Sequence, residues 1–298
     1  MAKKKRSGKT SLLLIIVLII VSLFGLGESG VIDTDTPTFT NEYLDGEVYV
    51  HFIDVGQGSS TLIQQGKNAV LIDSGLSEYG ETVSDFITSC GVETLSYVIA
   101  THPHNDHIGS ITEVMDNFEV GEIIMPELSE INTPTTRVYE NFIDYIIERD
   151  IPVNAAQFND VYSVEDINIR ILGPVKQNKD LNNMSVVCRI TAGDSAFMFL
   201  GDAETEELES INKYCSSDIS SDVLLMGHHG SSTSVYEPFL DKVNADIAVI
   251  SCGKNNSYNH PHEEALEYCE ESGMDVYRTD LDGTVSFRCT QTLLEKVS

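Results

Sequence analysis

Residues 102–107 carry three histidines and an aspartate in the order H-x-H-x-D-H, inside the stretch "THPHNDHIGS" of a chain that has only eight histidines. His102 and His104 are two apart, so in an extended segment they face the same side. Pro103 biases His102 away from helix. A strand-end loop of this kind aims two imidazoles at one point. Asp106 and His107, as the chain turns into a helix, face a second point close by. Imidazole and carboxylate donors suit zinc, at roughly 2.0–2.2 Å. Two metals about 3.5–4 Å apart can share a hydroxide and clamp the oxygens of a displacement. The plain alternative is a polar surface loop with incidental histidines. Against it, seven of the eight histidines fall in 102–107, 228–229 and 260–262. Each of these stretches lies at or just after an expected strand end, where loops gather round a site.

Other residues join the constellation. Asp202 follows the apolar run in "AFMFLGDAE" and can bridge two metals; alone it would read as a turn or helix-capping aspartate. In "VLLMGHHGSSTS", one of His228 and His229 completes a metal sphere and the other touches substrate or bound water. "NSYNHPHEEA" offers Tyr258, His260 and His262. His260 is a candidate for binding substrate or offsetting charge in the transition state, and His262 for capping the next helix. Asp73, at the end of "VLIDSG", is expected to fix a ligand histidine from behind. His51 sits inside a strand pattern and reads as core or edge. Gln57 lies in "DVGQGSS", where a tight turn and a substrate loop are equally good readings. There is no P-loop, G-x-S-x-G or C-x-x-C knuckle.

The elements that must position these residues follow from periodicity. Alternating apolar residues from Glu47 to Gly75 predict an antiparallel meander. Helices are expected near 79–90, from His107 through "IGSITEVMDNF", and over "TTRVYENFIDYIIERD", with strands at "LSYVIAT" and "EIIMP". The second half repeats the texture: strands near 167–172, 185–191 and 196–200, then helices over "AETEELESINKY", 235–243 and 262–271, alternating with strands "DVLLMG", "ADIAVIS" and "GTVSFR". Two sheets packed face to face with helices outside is the arrangement this order suggests. The six cysteines form no C-x-x-C pair and read mostly as buried thiols, with one or two disulfides left open.

The 298 residues suffice for one large domain or two small ones, each with a real core. The chain opens differently, with a basic head and an uncharged apolar run from Ser11 to about Gly27. Residues 1–27 therefore read as a signal-anchor or a signal peptide, the uncleaved anchor being preferred. Lys3, Lys4, Lys5, Arg6 and Lys9 should stay in the cytoplasm, making the protein single-pass with an extracytoplasmic domain, or secreted if the leader is cut. Polar, Thr-rich 28–45 reads as a linker, and 46–298 as the domain. The leader takes five of the 18 basic residues and none of the 47 acidic ones, which leaves 13 against 47 and a formal charge of −34. That acidity argues against a broad nucleic-acid-binding surface, though not against a small anionic substrate beside bound metal.

With these residues in view, the chain resembles the metallo-β-lactamase superfamily, whose signature is H-x-H-x-D-H. More narrowly it is similar to the hydrolase domain of ComEC-type DNA-uptake proteins, from "VHFIDVGQG" through "LIDSG", "NNMSVV", "LGDAE", "GHHGS" and "NSYNHP" to "RTDLDGTV". The resemblance implies an α+β, four-layer αββα sandwich with a metal site at one edge between the sheets. It implies His102, His104, Asp106, His107, Asp202 and one or both of His228 and His229 as ligands, for two zinc ions or for manganese. Two departures stand out. The uptake channel's spanning segments do not occur in this sequence, so it is not expected to form the pore. No histidine lies between 108 and 227, where many members carry a further ligand; Asn183 takes that place, or one metal is bound less fully. The resulting expectation is a metal-dependent hydrolase, foremost a phosphodiesterase acting on DNA or a smaller diester. Asp106, His228 and His260 are its catalytic candidates, and Gln57, Asn183 and Tyr258 its substrate contacts. A lactone-type esterase and a non-catalytic, metal-stabilised binding module stand as rivals.

Overall fold

A computed structural model describes residues 46–298. The anchor and linker expected over 1–45 lie outside the described residues. Among the described residues no helix is long and apolar enough to cross a membrane.

The alternating residues after Glu47 form the expected meander: β1 (Val48–Phe52), β2 (Thr61–Gln65) and β3 (Asn68–Ile72) pair antiparallel. From there the sheet turns parallel. β4 (Thr94–Ile99), β5 (Glu119–Met125) and β6 (Val153–Ala155) are each reached through helical crossovers, as parallel neighbours require. These crossovers hold α1 (Gly80–Ser89), α2 (Asn105–Ile108), α3 (Ile111–Met115) and α4 (Arg137–Arg149). The second half repeats the plan. β7 (Val161–Val164), β8 (Ile167–Gly173), β9 (Val187–Ala192) and β10 (Ser195–Phe199) pair antiparallel. β11 (Val223–Leu225), β12 (Ile247–Ile250) and β13 (Asp275–Arg278) then add in parallel. Here the crossovers are α5 (Thr205–Tyr214), α6 (Glu237–Val243) and α7 (Glu263–Glu271). Finally β14 (Val285–Cys289) returns to pair with β1, and β15 (Leu294–Lys296) pairs with β14. The sheets read β15-β14-β1-β2-β3-β4-β5-β6 and β13-β12-β11-β10-β9-β8-β7.

Three apolar layers make this a four-layer αββα sandwich. Phe52, Ile72, Phe197, Phe199 and Phe287 fill the space between the sheets. Leu71, Ile87, Val98 and Phe142 join the first sheet to its helices, and Met198, Leu208, Leu224 and Phe239 do so for the second. Along β10, Phe197 and Phe199 point inward and Met198 outward, the alternation of a strand covered on both faces.

The single helix expected from His107 through Phe118 is broken into α2 and α3. A side-chain carbon at Gly109 would stand 2.6 Å from Ser77 N and 2.9 Å from Gly75 O, so only glycine lets the 75–77 loop come this close. Ser110 Oγ donates to Ser74 O at 2.6 Å and bends the chain there. The short strands β6, β7, β13 and β15 carry too few apolar residues to stand out by periodicity. All six cysteines are buried free thiols, so no disulfide forms.

Candidate metal centre

Loops at the carboxyl ends of β3, β4, β10, β11 and β12 converge at one rim of the sandwich, where open α/β sheets bind their ligands. His102, His104, Asp106 and His107 come from the β4 loop, in the first sheet. Asp202 follows β10, and His228 and His229 follow β11, in the second.

Two donor groups result. His102, His104 and Asp202 form one, and Asp106, His107 and His229 the other, with the ligand atoms of each group within 4.8 Å of one another. Asp202 reaches both. Its Oδ2 lies 3.7 Å from His102 Nε2 and 3.7 Å from His229 Nε2, and its Oδ1 lies 3.1 Å from His107 Nε2. His229 Nε2 is 3.3 Å from Asp106 Oδ2.

Hydrogen bonds on the far side of the rings set the tautomers. His107 Nδ1 lies 2.7 Å from Asp73 Oδ2, an acceptor, so Nδ1 carries the proton and Nε2 turns inward. His229 Nδ1 likewise donates to the Ser251 carbonyl at 2.9 Å. Thr101 links a second ring to the same aspartate: its Oγ1 donates to Asp73 Oδ2 at 2.7 Å and lies 3.2 Å from His102 Nδ1. Asp73 also accepts from the Thr101 amide at 2.9 Å.

The residues present fit divalent metal. Among the described residues, the buried His107 Nε2 and His229 Nε2 have no hydrogen-bond partner, and both turn into the Asp106–His107–His229 group. Leaving such groups unpaired costs about 1–3 kcal/mol each, and a bound cation removes that cost. Charges inside the cluster are strongly coupled. Burial opposes ionisation of Asp202, but the imidazoles of His107, His229 and His102 hold its carboxyl well below the usual range. Burial likewise opposes protonation of His107, and the Asp202 and Asp73 carboxylates outweigh it and push the ring well above its ordinary value. Burial, aided by the His107 charge, drives His102 well below. Without metal, protons sit between these donors in place of cations.

A model of the metallo-β-lactamase superfamily matches residues 53–254. The chain belongs to this superfamily. ComE operon protein 3 of Bacillus subtilis (strain 168) is 32% identical over 267 residues, covering 82% of this chain and 33% of that protein. Competence protein ComA of Neisseria gonorrhoeae is 29% identical, covering 82% of this chain and 32% of its own. The chain thus spans about a third of the length of these curated relatives. Among solved structures, the metallo-β-lactamase fold protein YhfI of Bacillus subtilis superposes with a TM-score of 0.54 at 14% identity, covering 85% of this chain and all of that one. The diiron β-hydroxylase CmlA of Streptomyces venezuelae gives 0.56 at 12%, covering 85% of this chain and 55% of its own. At such identities these two show the fold alone.

As a metallo-β-lactamase domain, the chain brings together most of the residues its sequence singled out. His229 stands in a donor group and His228 does not. His228 Nε2 lies 3.6 Å from Asp202 Oδ2, while its Nδ1 faces Glu204 Oε1 at 3.4 Å and Thr233 Oγ1 at 3.3 Å. Both residues have left-handed backbone, with φ of 51° and 56°. Such strain costs of order 1–3 kcal/mol per residue and marks functional turns; here it sends one ring into the cluster and the other to its mouth. That mouth is a pocket of about 330 Å³ lined by Gln57, His104, Asn182, His228, Tyr258 and His260, among others. Burial and the neighbouring imidazoles of His229 and His228 bring His260 down to about 4, so it is neutral at pH 7.

Asn183 is not at the centre. Its Oδ1 accepts from the amides of Glu204 (3.1 Å) and Glu207 (3.2 Å), satisfying the start of α5, and the adjacent Asn182 faces the pocket instead. The H-x-H group therefore keeps three protein donors. His262 caps nothing with its side chain; it accepts from Ser232 N at 3.0 Å and ties two loops. His51 is core, its Nδ1 2.9 Å from Ser286 Oγ. Sequence reasoning missed Thr101, Asn182, Glu204 and the Ser251 carbonyl. Thr101 directly precedes the first ligand, the one local signal that could have found it.

Proposed function

We propose that this domain is a two-metal phosphodiesterase, held outside the cytoplasm by its N-terminal segment. The observation that carries the proposal is Asp202 standing between two donor groups that open on one pocket. Zinc suits the mixed imidazole and carboxylate set, and manganese is the alternative. Bound there, paired divalent cations lower the pKa of water and polarise a phosphoryl oxygen. The chain's own groups supply the rest. Asp202 and Asp106 orient the attacking water. His228 and His260, at the pocket wall, face the non-bridging oxygens and offset their charge. Gln57, Tyr258 and Asn182 complete the wall.

The relatives named for competence suggest DNA as the polymer. The formal charge of −34 beyond the leader favours a short diester as the molecule that enters. The basic head and apolar run of 1–27 support the anchored, extracytoplasmic placement; protease added to intact cells should then digest the domain. Purified protein with added Zn²⁺ or Mn²⁺ is expected to cleave a chromogenic bis-aryl phosphate diester, and His104→Ala to abolish this. Full activity in that variant would sink the assignment. Stoichiometric metal with no turnover on phosphate, lactone, thioester and β-lactam panels would point to a binding module.

A further inference from the structure

The glycine-rich connection between β1 and β2 contributes Gln57, whose amide is pinned at both ends. The Gly253 backbone N–H donates to Gln57 Oε1 at 3.0 Å. A backbone N–H only donates, so the oxygen of this amide faces Gly253 and the NH₂ faces the other way. That NH₂ lies 3.4 Å from His260 Nδ1. The approach depends on Gly253, since a side-chain carbon there would stand 2.6 Å from Gln57 N. His260 is held from its other side by Asn256. Its backbone N–H donates to Asn256 Oδ1 at 3.0 Å, and its carbonyl accepts from Asn256 Nδ2 at 2.6 Å. The ring stacks on Tyr258 with centroids 5.7 Å apart and stands 5.4 Å from the His228 ring.

An NH₂ group has no lone pair to offer, so His260 Nδ1 must be the acceptor. The ring proton then sits on Nε2, which has no protein hydrogen-bond partner among the described residues and belongs to a side chain lining the pocket. We infer that Gln57 is a positioning residue that locks His260 as the Nε2–H tautomer, so that His260 meets a phosphoryl oxygen of the substrate as a hydrogen-bond donor. The role of the donor rests on the phosphodiesterase reading; the tautomer does not. The "VGQG" motif thereby has a task in the chemistry: it connects the first strand of one sheet to a loop that follows β12 in the other, and fixes which nitrogen of His260 carries hydrogen.

The test uses the full purified chain loaded with Zn²⁺ and labelled with ¹⁵N at histidine, with His260→Ala identifying the His260 signals. Long-range ¹H–¹⁵N spectra should show His260 protonated at Nε2 and bare at Nδ1. Gln57→Glu turns the donor into an acceptor and should bring a proton to Nδ1. On a chromogenic phosphate diester, Gln57→Leu should lower kcat roughly 10-fold with KM less affected, the usual scale for a partner that orients a working imidazole. It should cost nothing further in a His260→Ala background. A wild-type His260 protonated at Nδ1, an unchanged pattern in Gln57→Glu, or a Gln57→Leu loss that persists without His260 would each overturn the inference. If the spectra behave as stated while the wild-type protein cleaves no diester, the tautomer assignment stands and the phosphodiesterase reading falls.

Discussion

The two donor groups share Asp202 but are built differently. Asp106, His107 and His229 draw on both sheets, and each of the two imidazoles is braced from behind, by Asp73 and by the Ser251 carbonyl. The H-x-H group takes its imidazoles from one loop. His102 is braced through Thr101, while His104 is only part-buried and its Nδ1 lies 2.9 Å from His102 Nε2. Among the described residues no further side chain completes it, because Asn183 is spent on the start of α5. Preorganisation therefore favours the Asp106–His107–His229 group, and the H-x-H group is the one left open to an incoming ligand.

Breaking what the groups share should have the largest effect. Asp202→Asn is expected to strip metal from both and to lower turnover by about 10³-fold or more, a loss of ~4 kcal/mol in transition-state stabilisation. Elemental analysis after gel filtration checks it, and two ions per chain in that variant would contradict the shared role. Next come variants that separate the groups. His104→Ala and His229→Ala should each retain one ion, but calorimetric titration should find the ion surviving in His104→Ala bound roughly 10-fold more tightly than that in His229→Ala. Equal affinities would mean that the two groups are equally preorganised.

A smaller effect follows from the bracing. Asp73→Asn should weaken metal binding roughly 10–100-fold, felt in both groups because His107 and Thr101 both depend on it. Thr101→Val should weaken the H-x-H group, by about 10-fold, more than the other; an equal effect on both groups would undo the relay.

The mildest variant serves as the baseline outside both groups. Glu207 is a buried carboxyl of α5 whose Oε2 has no partner among the described residues, and burial pushes it up to about 8. An unfolded glutamate titrates near 4.3. The folded state thus favours the neutral form. The stability this gives is fully present below the unfolded value and is lost as pH rises through about 8. Glu207→Gln should abolish that decline, of the order of a few kcal/mol in chemical denaturation, while leaving both ions in place.

What could be read from the sequence was local. H-x-H-x-D-H needs only one strand end and the onset of a helix, so its spacing carries its geometry. Asp202 and the 228–229 pair were legible because each follows an apolar run that had to be a strand. The division of labour between His228 and His229 was not, since it rests on two consecutive left-handed residues that no side-chain pattern announces. Asn183 misled because its neighbour faces the pocket, and a one-residue shift in a 3₁₀ turn changes what a side chain meets. The break at Gly109 depends on a loop more than 30 residues upstream. The short edge strands depend on partners, not on their own composition.

One loop of the first sheet and two of the second supply the donors, so the ions would act as rivets through the open rim of the sandwich. The aromatic filling between the sheets holds the layers together elsewhere; at that rim, cohesion becomes a function of dissolved cation. At a thousandfold excess over its dissociation constant, one such ion adds ~4 kcal/mol to resistance against unfolding. The domain's durability would then follow the mineral content of the medium around it.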